Sequence, residues 1–290
     1  FPTRRSSDLD LLDELCKQPE STLPKAKPQE DTKTIKAHLE QFDANLKFED
    51  LDIEKLTEFI TFEQNTLELL DSTVKRHLVY LKWFLHWAVN MNFTHKTDFE
   101  KFTTGIPNQK TKVIYFTEKE LEDVIAHDYS NNPAMDRVRD VYVFCCFTGL
   151  RYSDVYNLNW SNISDDYTIT FTTQKTKDEL YIPITSQKPR DLIDKYRHCH
   201  FRGNKVLPVI SNQKMNDALK IMAKDCGITS PVEIIHYKKG ERITERIPKY
   251  ELITTHTARK TFVCTAIRLE INPAVIMEIT GHKSYATMRD

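Results

Sequence analysis

Apolar residues recur along the first hundred positions at alternating steps of four and three. Ile35, Leu39, Phe42 and Leu46 follow this period, which places them on one helical face. A second helix is predicted after Asp52, with Leu56, Phe59 and Ile60 turned inward. The third pattern is the longest: Ser72 as N-cap, then Val74, Leu78, Leu81, Leu85 and Ala88, with Trp83, Phe84 and Trp87 widening the apolar face. Residues 31–103 therefore read as a small all-helical domain. The run Thr104-Gly-Ile-Pro-Asn108 breaks the period, so residues 104–110 are predicted to be a linker.

From residue 111 the pattern changes. Thr117-Glu-Lys-Glu120 is a capping box ahead of Leu121, Val124 and Ile125. Val141-Tyr-Val-Phe-Cys-Cys-Phe147 is a continuous apolar run that should be buried. Tyr167–Thr173 and Leu180–Ile184 flank a polar turn and predict a hairpin. Val232–Tyr237 and Arg242–Ile247 predict a second one. Between the hairpins, Ser211 to Cys226 reads as a helix ending at Gly227. Thr255 is expected to cap a helix reaching about Glu270, and Pro273 to start another. The expected fold is mainly α: a small helical domain, then a mostly helical domain over residues 111–290 with one or two small β-sheets.

The two ends depart from this order. Phe1–Leu9 resembles the translation of a sequencing-adapter oligonucleotide, and residues 17–31 are rich in Pro, Lys and Glu, so residues 1–30 are read as an artefactual leader and a flexible linker. Thr287-Met-Arg-Asp290 carries no helix cap or polar tail, which suggests a piece of a longer gene product.

Composition first argues against nucleic acid. There are 41 Lys+Arg against 42 Asp+Glu, whereas a dedicated nucleic-acid binder usually carries a basic excess. Charge by segment reverses that inference. Residues 1–110 carry 15 basic and 19 acidic side chains, but residues 174–260 hold 18 basic against 10 acidic, a net +8 that suits a phosphate backbone. With six glycines in the chain and no GxGxxG or GxxxxGK[ST] run, Gly-rich phosphate loops are disfavoured. No apolar run approaches the ~20 residues of a membrane helix. Cys16, Cys145, Cys146, Cys199, Cys226 and Cys264 show no framework spacing, so they read as free thiols in the cytoplasm.

Candidate chemistry lies in four short motifs. Thr148-Gly-Leu-Arg151 follows the buried run and would hold a planar guanidinium against phosphate oxygens. Lys175 sits in the tip of the first hairpin. His256-Thr-Ala-Arg259 opens a helix and puts both side chains on one face, where the helix N-terminus favours an anion. Gly281-His282 lies 23 positions after Arg259. No Cys, His or carboxylate spacing indicates a metal; His198-Cys-His200 is a poor ligand set without a second cluster. Two Arg, one Lys and two His suit metal-free phosphoryl transfer.

The order TGLR, hairpin Lys, HxxR, GH resembles the tyrosine recombinases, or phage-type integrases. Lys175 precedes Pro183 by eight positions, as the family's hairpin lysine does; Lys177 is the rival at six. The likeness spans about residues 31–290 and looks closest to integrases of mobile elements. It implies that Arg151 and Arg259 bind the scissile phosphate, Lys175 protonates the leaving 5′ oxygen, His256 assists proton transfer with the nucleophile, and His282 hydrogen-bonds a phosphate oxygen. Asp154 matches an acidic position supporting the first Arg. The helical domain resembles the family's core-binding (SAM-like) domain, with Thr73, Lys75 and Arg76 on the helix that lies against DNA. The implied partners are double-stranded DNA, a homotetramer of the full-length protein on DNA, and DNA-bending accessory proteins. No cofactor, metal or membrane is implied.

The pattern departs from the family at one point. The nucleophilic tyrosine comes roughly nine residues after the GH histidine, which here falls just past Asp290, while Tyr285 follows His282 by only three. The chain as given is therefore expected to assemble the phosphate pocket without cleaving DNA. The alternative within the same likeness is a catalytically inactive integrase-like DNA-binding protein. A Cys/His hydrolase using Cys264 or Cys199 is disfavoured because Cys264 falls in an apolar helical series. A type IB topoisomerase shares the chemistry but fits the motif spacing less well.

Overall fold

The computed structural model describes residues 8–12, 29–107, 112–172 and 179–289. The chain divides into two compact units, Phe1–Gln109 with Ile235–Glu245, and Lys110–Ile234 with Arg246–Asp290.

Among the described residues, three long helices build the first unit: α1 (Gln29–Phe42), α2 (Ile53–Asn65) and α3 (Asp71–Asn90). The predicted stripes form its core. Ile35, Leu39, Leu56, Phe59, Val74, Leu81, Phe84, Leu85 and Ala88 are buried together. Asp52 caps α2 by accepting the Lys55 N–H at 2.8 Å. Leu46 is buried as expected but lies beyond α1, which ends at Phe42. Ser72 is not the cap of α3. Leu70 already has extended dihedrals and fills that place, and Asp71 complements the helix dipole in the first turn. Part of the expected leader and linker also enters this core: Leu9, Leu11 and Leu12 are buried, and Asp8 Oδ2 accepts the Phe48 N–H at 2.9 Å. Three apolar side chains in four positions gain more from burial than from solvent.

The second unit is arranged around α5 (Pro133–Thr148). An apolar run of this kind suits either a helix or a buried strand. The flanks decide: Asn132 accepts the Met135 N–H at 3.2 Å, Pro133 occupies the first turn, and Gly149 ends the helix in the left-handed region at φ 67°. Every residue from Val141 to Cys146 is buried. Before it, α4 (Glu118–Ala126) carries the predicted capping box, with Thr117 N–H donating to Glu120 Oε2 at 2.7 Å and Glu120 N–H donating to Thr117 Oγ1 at 3.3 Å. After it come α6 (Tyr152–Asn157), then β1 (Thr168–Thr172) antiparallel to β2 (Glu179–Pro183), with Thr168 opposite Pro183. The tip joining them, with Lys175 and Lys177, lies outside the described residues.

Next are α7 (Gln187–Tyr196), α8 (Asn212–Asp225), and the second two-stranded sheet of β3 (Pro231–Lys238) and β4 (Glu241–Pro248). The chain closes with α9 (Thr255–Arg268), α10 (Pro273–Thr280) and α11 (Tyr285–Arg289). The cap of α9 is Thr254 rather than Thr255, because Thr254 is extended and pairs with Thr257 in the capping box. Helix α9 packs along α5, and Phe262 of α9 lies against Gly149 at the end of α5. A Cβ on Gly149 would lie 2.6 Å from the Phe262 ring.

Gly149 thus meets two demands, a positive φ and no side chain. Gly149→Ala should cost about 2–4 kcal/mol of stability, from left-handed strain and displacement of Phe262. Urea unfolding checks this; an unchanged midpoint would contradict the close approach.

Candidate phosphate-binding site

The end of α5 sets the first arginine. Thr148 donates its hydroxyl back to the Phe144 carbonyl at 2.9 Å, Gly149 reverses the chain, and Leu150 is buried at 1 % exposure. Arg151 then takes the extended N-cap position of α6, and its carbonyl accepts the N–H groups of Asp154 and Val155, each at 3.0 Å. The buried Asp154 carboxylate lies 3.9 Å from Arg151 Nη1, beyond hydrogen-bond range. That Nη1 is itself buried and makes no hydrogen bond among the described residues. Arg151 is thus leashed by its neighbour's charge, and its donors stay available.

The start of α9 sets the second arginine and the first histidine. Thr257 Oγ1 donates to the Thr254 carbonyl at 2.6 Å and accepts from the Tyr142 hydroxyl at 2.8 Å. Asn216 accepts the Thr255 N–H at 2.9 Å, tying this end to α8. With the first turn fixed, His256 projects into solvent and Arg259, one turn on, points inward at 3 % exposure. The Arg259 fork grips two loops. Nη1 donates to the Gly149 carbonyl at 2.8 Å, and Nη2 donates to the Thr280 carbonyl. His282 Nε2 lies 3.3 Å from the same Nη2.

His282 follows Gly281, which ends α10 at φ 65° against the Leu180 side chain. Its Nδ1 faces Thr280 Oγ1 at 2.7 Å, and that hydroxyl also donates to the Ile276 carbonyl at 2.5 Å. A guanidinium can only donate. The consistent arrangement is therefore a neutral ring with its proton on Nδ1 and a lone pair on Nε2 turned to Arg259.

Electrostatics show the same convergence. Burial, then the field of Arg151, push Arg259 down to about 9, with Asp154 opposing. Burial, then Arg259, Arg151 and His256, push His282 down to about 4. Among the described residues, the site holds more positive charge than the Asp154 carboxylate can balance, and an anion would relieve both groups.

The structure thus brings Arg151, His256, Arg259 and His282 together, with Asp154 behind the first. Lys175 lies outside the described residues. In the first unit, Thr73 is half-buried and Arg76 exposed on α3, while Lys75 Nζ donates to the Ile106 carbonyl at 3.0 Å. Sequence reasoning missed Thr280, Thr257 and Asn216, which orient the site. Only Thr280, directly before Gly281-His282, offered a local signal.

The depressed pKa of His282 has a consequence for stability. Between its ordinary 6.5 and about 4, the unfolded chain takes up a proton that the folded chain refuses, so stability falls on acidification through that window. His282→Gln should remove up to about one proton's worth of that slope. Unfolding at several pH values checks it, as does imidazole NMR of the wild type, which should show a neutral Nδ1–H ring at pH 6.

The phage integrase family profile matches residues 115–290, and the phage integrase SAM-like domain profile matches residues 9–104. No curated protein matches the sequence. Among solved structures, the fold is similar to the 75–356 segment of lambda integrase, solved as a dimer bound to a COC′ core site. That match has 14 % identity and TM-score 0.69, and covers 97 % of this chain and 92 % of that one. A Tn1549 transposon integrase in complex with a circular intermediate DNA matches at 13 % identity and TM-score 0.70, over 98 % and 94 % of the two chains. The lambda integrase tetramer bound to a Holliday junction matches at 14 % identity and TM-score 0.67, over 95 % and 76 %. The profile match over the unit that holds Arg151, Arg259 and His282 places the chain in the phage integrase family, the tyrosine recombinases.

Proposed function

We propose that the chain is the DNA-binding and phosphate-activating part of a site-specific recombinase, an integrase of a mobile element acting on double-stranded DNA in the cytoplasm. The observation that carries this reading is the pairing of Arg151 and Arg259 around one site with a neutral His282 and, among the described residues, Asp154 as counter-charge. A phosphodiester supplies the missing negative charge, and two planar forks match its non-bridging oxygens. In this reading a tyrosine oxygen attacks phosphorus, forms a 3′-phosphotyrosyl bond and releases the 5′ oxygen, which takes its proton from Lys175. His256 assists the nucleophile's proton transfer, and His282 completes the contacts to phosphate. Because the phosphotyrosyl bond retains the energy of the bond broken, reversal by a free 5′ hydroxyl reseals the strand.

The nucleophile belongs about nine residues beyond His282. Tyr285 is 53 % exposed at the start of α11, which supports reading it as a surface side chain. DNA contacts by Thr73, Lys75 and Arg76, the linker at 104–110, a tetramer of the full-length protein and DNA-bending accessory proteins complete the proposal.

Residues 1–290 should bind duplex DNA mainly as a monomer, with affinity falling steeply with salt. Arg151→Gln, which removes no structural hydrogen bond, should weaken binding by about tenfold and flatten the salt slope. Anisotropy titrations at several salt concentrations measure both. On a nicked suicide substrate the chain should leave no covalent protein–DNA adduct in a denaturing gel; an adduct would show that a tyrosine within residues 1–290 attacks.

A further inference from the structure

The first unit buries a charged cluster that the recombinase chemistry does not use. Glu63, on α2, is 0 % exposed, although a lone buried carboxylate is among the costliest groups to enclose. Two imidazoles meet it: His38 from α1 and His77 from α3 place Nδ1 at 3.0 and 2.6 Å from the same oxygen, Oε1. The rings stand edge to face at 5.2 Å. The other oxygen, Oε2, is buried and has no hydrogen-bond partner among the described residues. The carboxylate therefore receives two neighbours on one side and nothing on the other.

We infer that His38, Glu63 and His77 form a structural zinc site tying α1, α2 and α3 together. One ligand atom from each residue lies within 4.8 Å of the other two. Around a tetrahedral Zn²⁺ with bonds of about 2.0–2.1 Å, neighbouring ligand atoms sit about 3.3 Å apart. The present 3.0 and 2.6 Å need to open by less than about 1 Å, within reach of small rotations of three side chains.

Two imidazoles and one carboxylate are a borderline donor set. They suit Zn²⁺, whereas Ca²⁺ and Mg²⁺ demand oxygen ligands. The ion would neutralise Glu63 and engage the carboxylate that now lacks a second partner. Its fourth ligand would be water, and the access is on the His38 side: that side chain is 18 % exposed, against 2 % for His77 and 1 % for Glu63. Ligands from three helices, 25 and 14 positions apart around Glu63, favour a role in holding the fold. Structural zinc of this kind contributes directly to folding free energy.

The test uses the full 290-residue chain, stripped with chelator and titrated with Zn²⁺ by calorimetry and with Co²⁺ by absorbance. Alkylation of the cysteines beforehand removes competing thiols. The expected result is one equivalent bound, with visible bands of tetrahedral Co²⁺ free of thiolate charge transfer, and a rise in melting temperature. His38→Ala and Glu63→Gln should each weaken binding by at least about 100-fold and abolish the thermal shift. His38 is partly exposed, so His38→Ala should fold in chelator, which circular dichroism verifies. No binding by the alkylated wild type, or one equivalent retained in both variants, overturns the site.

Discussion

The second unit depends on one buried cation. Arg259 sits inside α9 at 3 % exposure and uses its fork to hold the carbonyl of Gly149 and the carbonyl of Thr280. These carbonyls belong to the loops that deliver Arg151 and His282. A single guanidinium therefore spaces Arg151 and His282, and its five donors in fixed geometry let it hold both loops at once. Burying that charge without a full counter-ion is unfavourable, which is why its proton affinity falls. The cost is borne by the well-packed α5–α9 pair, where Tyr142 and Thr257 fix the helix start and Phe262 closes over Gly149.

Much of this was legible in the chain. Stripes at steps of four and three located α1 and α3 because each helix buries one face against its neighbours. The capping box at Thr117 follows from side chains adjacent in sequence. Helix starts shifted by two residues at Leu70 and by one at Thr254, where backbone dihedrals rather than the nearest hydroxyl mark the boundary. Helix α7 has no sequence signal of this strength: its Gln-Lys-Pro-Arg opening is mostly polar, and Pro189, Leu192, Ile193 and Tyr196 make its inner face.

The site divides in the same way. Arg151, His256, Arg259 and His282 were readable because each sits in a short motif, and the family likeness linked the motifs. The groups that aim them, Thr280 and Asn216, act through contacts that only the fold creates. The His38–Glu63–His77 cluster is the extreme case: its members share no motif, and three helices must pack before they meet. Basic residues over 174–260 became informative only when charge was counted by segment.

The hydroxyl of Thr280 has a further effect. By accepting from Nδ1 it parks the proton of His282 on the side away from the pocket, so the ring enters an encounter as a base. A second proton on Nε2 is opposed first by burial and then by the neighbouring arginines. The unliganded ring is therefore an uncharged imidazole whose lone pair, rather than its proton, is turned toward Arg259.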